Sequence, residues 1–141
     1  MEFSRMTTTS TTYTFGTRLR GAVSDVRPRV EASLKAQGFG ILTEIDVAAT
    51  MKAKLGIDGA PYVILGACNP ALAHRALEAD PSIGALLPCN VVLRADGDAT
   101  IVEAMDPVAA MGVVHAPAIT EVAAEARAKL RTAIDALEAQ A

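Results

Sequence analysis

Apolar residues recur along this chain with two periods, and each change of period marks an element. Val23, Val26, Val30 and Leu34 are spaced three and four apart, one face of a helix predicted over 24–37. Ser24 can cap its start, and Gly38 suits the left-handed position beyond its end. Pro28 falls near the first turn, where proline is tolerated. Ile119, Val122, Ala126, Leu130, Ile134 and Leu137 form the inner stripe of a longer helix predicted over 118–138. Between the two, the period drops to two. Ile41, Thr43 and Ile45 alternate with Leu42, Glu44 and Asp46, a strand predicted over 39–46 with one half-buried face. Tyr62–Cys68 is apolar on both alternating faces, the pattern of a central strand covered on both sides. Residues 90–94 and 99–105 flank Asp96-Gly97, a hairpin signal. A first strand is predicted over 13–19. Short helices are predicted over 47–55, ending at Gly56, over 70–79, opened by Asn69-Pro70, and from Asp106-Pro107 to Met111.

The order is strand, helix, four strands, helix. It predicts an α+β fold, β-α-β4-α: a mainly antiparallel sheet with the two long helices packed on one face and short helices inserted between strands. Two helices on one face leave the second face of Tyr62–Cys68 without cover. The inserted helices, a ligand or a second copy of the chain could supply it, and a homodimer is the expectation.

At 141 residues the chain is one domain's length, assigned to residues 13–141. The Thr-rich residues 1–12 are expected to be a disordered lead-in, with 1–5 matching a cloning scar and Met6 the native start. Hydrophobic residues make up 51% and charged residues 21%, with mean hydropathy +0.30, which excludes global disorder. The apolar content includes 28 alanines, no tryptophan and 4% aromatics, so flat rings for stacking bases or sugars are few. The net charge is −3 and the pI about 5.3, which gives no electrostatic footprint for nucleic acid or an anionic membrane. No apolar run reaches the roughly 18 residues of a membrane span, and the polar N-terminus lacks a secretory h-region. A cytoplasmic location with reduced thiols follows as the expectation.

Two thiols carry the candidate chemistry. Cys68 and Cys89 each precede an asparagine, 21 residues apart, one ending a strand and the other beginning the next. On antiparallel neighbours they would meet at one end of the sheet. Cys68 also lies just before a helix start, where the dipole would favour a thiolate, making it a candidate nucleophile. Asn69 and Asn90 would add amide donors beside them. Buried cysteine as a small core residue is the competing reading. His74 is a third candidate metal ligand with Cys68 and Cys89, but helix geometry turns it about 130° from the inward arc, towards solvent. His115 sits in an apolar loop as a candidate switch or ligand. Glu44 and Asp46 share one strand face, where they could hold a cation or simply meet solvent. Glu103 shares a face with Ile101 and Met105. Buried there it would need a partner, and Arg94 or Arg75 is in range of the pattern. Met51, Met105 and Met111 suit core filling better than a soft-metal site.

Several stretches read together: Gly38-Phe39-Gly40-Ile41-Leu42-Thr43-Glu44-Ile45-Asp46, Ile64-Leu65-Gly66-Ala67-Cys68-Asn69-Pro70, and Leu86-Leu87-Pro88-Cys89-Asn90-Val91-Val92. Asp106-Pro107 and Glu121-Val122-Ala123 follow. Together they resemble the domain-of-unknown-function 302 family over residues 13–139. The resemblance implies a TATA-binding-protein-like β-α-β4-α topology. It implies neither DNA binding nor an activity, since topology does not fix function. Ala116-Pro117 stands where the family pattern has Asn-Pro, so the cap of the last helix is lost.

Phosphate loops, GxGxxG, HExxH, GxSxG and CxxC are all missing from the sequence. Three readings remain. The first is a homodimeric module binding a small molecule or soft metal ion at Cys68, Asn69, Cys89, Asn90 and Glu103. The second is a non-catalytic dimeric scaffold. The third is a thiol-dependent enzyme using Cys68. No cofactor is specified.

Overall fold

The computed structural model describes residues 8–140. Its strands are β1 (Thr8–Ser10), β2 (Thr14–Arg20), β3 (Gly40–Asp46), β4 (Tyr62–Cys68), β5 (Cys89–Asp96) and β6 (Ala99–Met105). Its helices are α1 (Val23–Ala36), α2 (Val47–Leu55), α3 (Pro70–Ala79), α4 (Pro107–Ala110) and α5 (Pro117–Gln140), with 3-10 turns at Pro81–Leu86 and Met111–Val113. All strand pairs are antiparallel, in the order β1-β2-β6-β5-β4-β3. The α+β class and the β-α-β4-α order hold, with β1 added at one edge.

That strand corrects the expected disordered lead-in. Thr8, Thr9 and Ser10 pair with Thr17, Gly16 and Phe15. Threonine is β-branched and suits a pleated edge, so the same residues that read as a polar tail can extend a sheet. The remainder of that lead-in, residues 1–7 with the matched scar, lies outside the described residues.

Local chemistry explains most element ends. After α1, the Gly38 N–H bonds the Lys35 carbonyl and the Phe39 N–H bonds the Leu34 carbonyl, with Gly38 at φ +87°. Those two bonds make a Schellman ending, which glycine adopts without side-chain strain. Gly56 ends α2 at φ +66°. At the start of α1 the expectation fails: Ala22 holds the cap position without a side-chain bond, and Ser24 lies inside the helix. The β5–β6 hairpin turns on Gly97-Asp98, with positive φ at Gly97 alone, the II′ pattern.

Pleating sorts the sheet into two faces. Leu65, Val91, Ala104 and Phe15 lie in one cross-strand row, and Val63, Leu93 and Val102 in the next. These side chains are 9% exposed or less and pack against Val26, Val30 and Leu34 of α1 and Leu130, Ile134 and Leu137 of α5. Burial of this size supplies the main folding drive, at about 25 cal/mol per Å² of apolar surface. Ser33 donates to the Ala133 carbonyl at 2.6 Å, a buried bond between the two long helices. A second core lies outside the sheet, where Leu72, Ala76, Ile83 and Met111 pack on Ile119, Val122, Ala123 and Ala126 of α5. The predicted stripe of α5 is thus real but divided: its first half serves this second core and its second half serves the sheet.

The other face is less completely covered, with Ile45 exposed and Ile64, Val92 and Glu103 half-buried. Ile45, Ile64, Val92, Glu103 and Gly16 form its central row. Here β4 departs from expectation. It lies second from an edge, with Val63, Leu65 and Ala67 buried, but Tyr62, Ile64 and Cys68 only half-buried. β3 departs further. As the edge strand it is exposed at every residue except half-buried Ile41, and a bulge leaves Leu42 without a partner on β4.

Candidate functional site

Cys89 stands opposite Ala67, not opposite Cys68. Along a pleated strand that one-residue offset turns the two side chains different ways. Cys89 points into the helix-covered core and is 5% exposed, whereas Cys68 is half-buried at the strand's end. Both thiols are free. The expected cysteine pair is therefore corrected: adjacency of the strands brings the residues to one end of the sheet, but register keeps them from facing each other.

The electrostatics are also the reverse of the expectation. Burial pushes the Cys68 thiol up, and burial with the neighbouring Cys68 pushes Cys89 up to about 11. Both effects favour the neutral thiol over the thiolate that a nucleophile or metal ligand needs. His74 projects from α3 with its side chain 74% exposed, bonded to Glu78 at 3.0 Å. Among the described residues no group of three or more His, Cys, Asp or Glu side chains is placed to hold a metal ion. The metal set of Cys68, Cys89 and His74 is not assembled.

The asparagines have separate tasks. Asn69 caps α3, accepting from the Leu72 N–H at 3.3 Å, and donates to the Gln37 carbonyl at 3.3 Å. It thereby ties the start of α3 to the end of α1, and a β-carbon at Gly38 would come within 2.9 Å of its amide. Asn90 is exposed opposite Gly66 on β5. Glu103 faces Val92, three residues along β5 from Cys89, or roughly 10 Å by strand rise. Its carboxylate accepts from Arg94 Nε at 3.1 Å and from Thr14 Oγ1 at 3.3 Å, and its side chain is 13% exposed. Arg94 is thus the partner, while Arg75 binds Glu125 on α5. Of the five predicted ligand-binding residues, Cys68, Asn69 and Cys89 line one small cleft, whereas Asn90 and Glu103 lie outside it.

The remaining candidates are occupied by the fold itself. Glu44 pairs with Arg27 of α1, and Asp46 caps α2 by accepting from the Ala49 N–H at 2.9 Å. His115 is exposed in the loop before α5. Met111 is buried, Met105 is half-buried and Met51 is 42% exposed.

One small, partly open cleft does lie at the cysteine end. It is bounded by Phe39, Ala67, Cys68, Cys89, Leu72, Ala76, Met111 and Ala126, and measures about 30 Å³. That is room for about one water, against the roughly 300–1,000 Å³ of ordinary ligand pockets. Sequence reasoning missed Met111 as part of this wall, because nothing in the residues around it marks which cavity a loop methionine fills.

The sequence and fold match a known group. A family profile for the domain of unknown function DUF302 matches residues 15–137. The chain belongs to the DUF302 family. A crystal structure of an uncharacterised conserved DUF302 protein from Bacillus stearothermophilus superposes on this DUF302 domain with a TM-score of 0.80. The two are 31% identical over 87% of this chain and 96% of that one. No curated protein matches the chain. Among the described residues of this DUF302 domain, no helix is long and apolar enough to cross a membrane.

Proposed function

We propose that this DUF302 domain is a non-catalytic scaffold that pairs with a second copy of itself through the open face of its sheet. The observation that carries this reading is the apolar row Ile45–Ile64–Val92, which runs across three neighbouring strands and is left exposed at Ile45 and half-buried at Ile64 and Val92. Ile45 is 50% exposed, and the segment it begins keeps Met51, Leu55 and Ile57 exposed as well. α2 buries none of its residues. A concentration of uncovered large apolar side chains is the mark of an interaction surface.

Charge points to a second copy as the occupant. Arg94 on this face is paired with Glu103, and Arg18 with Asp96 at 2.9 Å. These four ions satisfy one another, and the exposed Arg20 on the same face sits at the far end of β2, away from the apolar row. A neutral apolar row fits a twofold partner, where the same patch meets itself and no charge is buried alone. The raised thiols and the 30 Å³ cavity support this scaffold reading over a thiol enzyme or a cysteine-centred metal site.

The test is sedimentation velocity at micromolar concentration, with circular dichroism to verify folding. The wild type is expected to sediment as a dimer and Ile64→Glu as a folded monomer. Ala124→Glu, on the exposed side of α5, is the control and stays dimeric. A wild-type monomer at these concentrations overturns the reading, as does a dimer that survives Ile64→Glu.

A further inference from the structure

Met111 stands between two empty spaces on the helix side of the sheet, away from the open face. On one side is the 30 Å³ cavity that reaches Cys89. On the other is an open surface groove walled by Val108, Val114, His115 and Thr120. Met111 belongs to both walls and is 4% exposed. Its side chain is unbranched, with three rotatable bonds, and adapts more readily than any other large apolar residue. A rotamer change at this one residue would join groove to cavity and vacate the volume the side chain now fills.

The chemistry of the joined space is one-sided. Leu72, Ala76, Val122 and Ala126 line it with hydrocarbon. Asn69, the polar side chain at its margin, already accepts from Leu72 and donates to Gln37. A guest carrying a charge or an unpaired polar group would lose its water without replacement bonds. An apolar guest would displace at most a poorly held water.

We propose that Met111 is the gate of a binding site for a small, uncharged, apolar molecule of about the size of a benzene ring, seated against the thiol of Cys89. The site is separate from the self-association face and does not depend on it.

The experiment reads the gate through Cys89. In a Cys68→Ser background, the single thiol is labelled with methyl methanethiosulfonate, which is small and neutral, and followed by intact mass under native conditions. Cys89 is expected to react faster than global unfolding permits, through local opening. Met111→Ala is expected to raise the rate about tenfold beyond what its lost stability accounts for. Met111→Leu keeps the volume and the fold but removes the flexible thioether, and it is expected to slow labelling. With the native methionine, benzene is expected to protect Cys89 and to shift the methyl resonances of Ala67 and Ala126. Labelling that tracks global unfolding in all three chains overturns the gate. Labelling that benzene leaves unchanged overturns the guest.

Discussion

Leu65 and Ile64 are neighbours on β4, and the pleat sends them into opposite surroundings. Leu65 is fully buried beneath α1 and α5. Ile64 lies half-buried on the open face between Ile45 and Val92. By hydrophobicity the two are equivalent, and a strand read from sequence gives no reason to prefer either side. The difference teaches that apolarity on a strand's second face is not a record of burial within the chain. It records surface that the chain itself leaves over, and here that surplus is what a second copy is proposed to cover.

Truncating each neighbour separates the two faces most sharply. Leu65→Ala is expected to cost about 2–5 kcal/mol, from lost transfer energy and the cavity left behind. Ile64→Ala, measured by urea unfolding at the lowest workable concentration, is expected to cost well under half of that. Equal losses would mean that the open face is as enclosed as the covered one.

A second contrast comes from pH. The thiol of Cys89, on the covered face, is raised from its ordinary 9.0 to about 11 by burial and by Cys68. Unfolding lets it ionise earlier, so the unfolded chain binds fewer protons between these values and stability falls as pH rises. The contribution is fully present below pH 9.0 and is lost as pH rises through about 11. Two units correspond to roughly 2–3 kcal/mol. Urea unfolding from pH 8 to 11 is expected to show this loss, and Cys89→Ala to flatten it. An unchanged slope in Cys89→Ala would place the thiol outside the core.

The smallest effect is expected on the exposed flank. Met51→Ala and Leu55→Ala lie on α2, which buries no residue, so each is expected to stay within about 0.5 kcal/mol in the isolated chain. Thermal melts with larger losses would show that α2 packs more tightly than its exposure indicates.

What could be read in advance follows the range of the physics involved. The ends of α1, α2 and α3 depend on Gly38, Gly56 and Asn69-Pro70, residues acting on their own backbone, and these are visible in sequence. The stripe of α5 was legible as a stripe, but not its division between two cores, which depends on where α3 returns. Glu103 announced a need for a cation, and Arg94 answers it from the neighbouring strand of the hairpin. The cysteines were legible only as far as strand adjacency. A one-residue register offset separates their directions, and no local feature at Cys68 or Cys89 encodes it. The burial of Met111 and the bond from Ser33 to Ala133 join segments far apart in the chain, so neither leaves a pattern in its own neighbourhood.

The bulge at Leu42 has a consequence for how large an assembly can grow. An exposed outer strand with regular spacing invites another strand to dock on its free amides, and then another, without limit. β3 is one of the two outer strands, with β1 at the opposite edge, and in β3 Leu42 interrupts the spacing while Glu44 and Asp46 place charge along it. Addition at that edge meets a kinked ladder and acidic side chains. Strand stacking at the β3 edge is thereby disfavoured, which suits the closed pair proposed above better than an open-ended fibre.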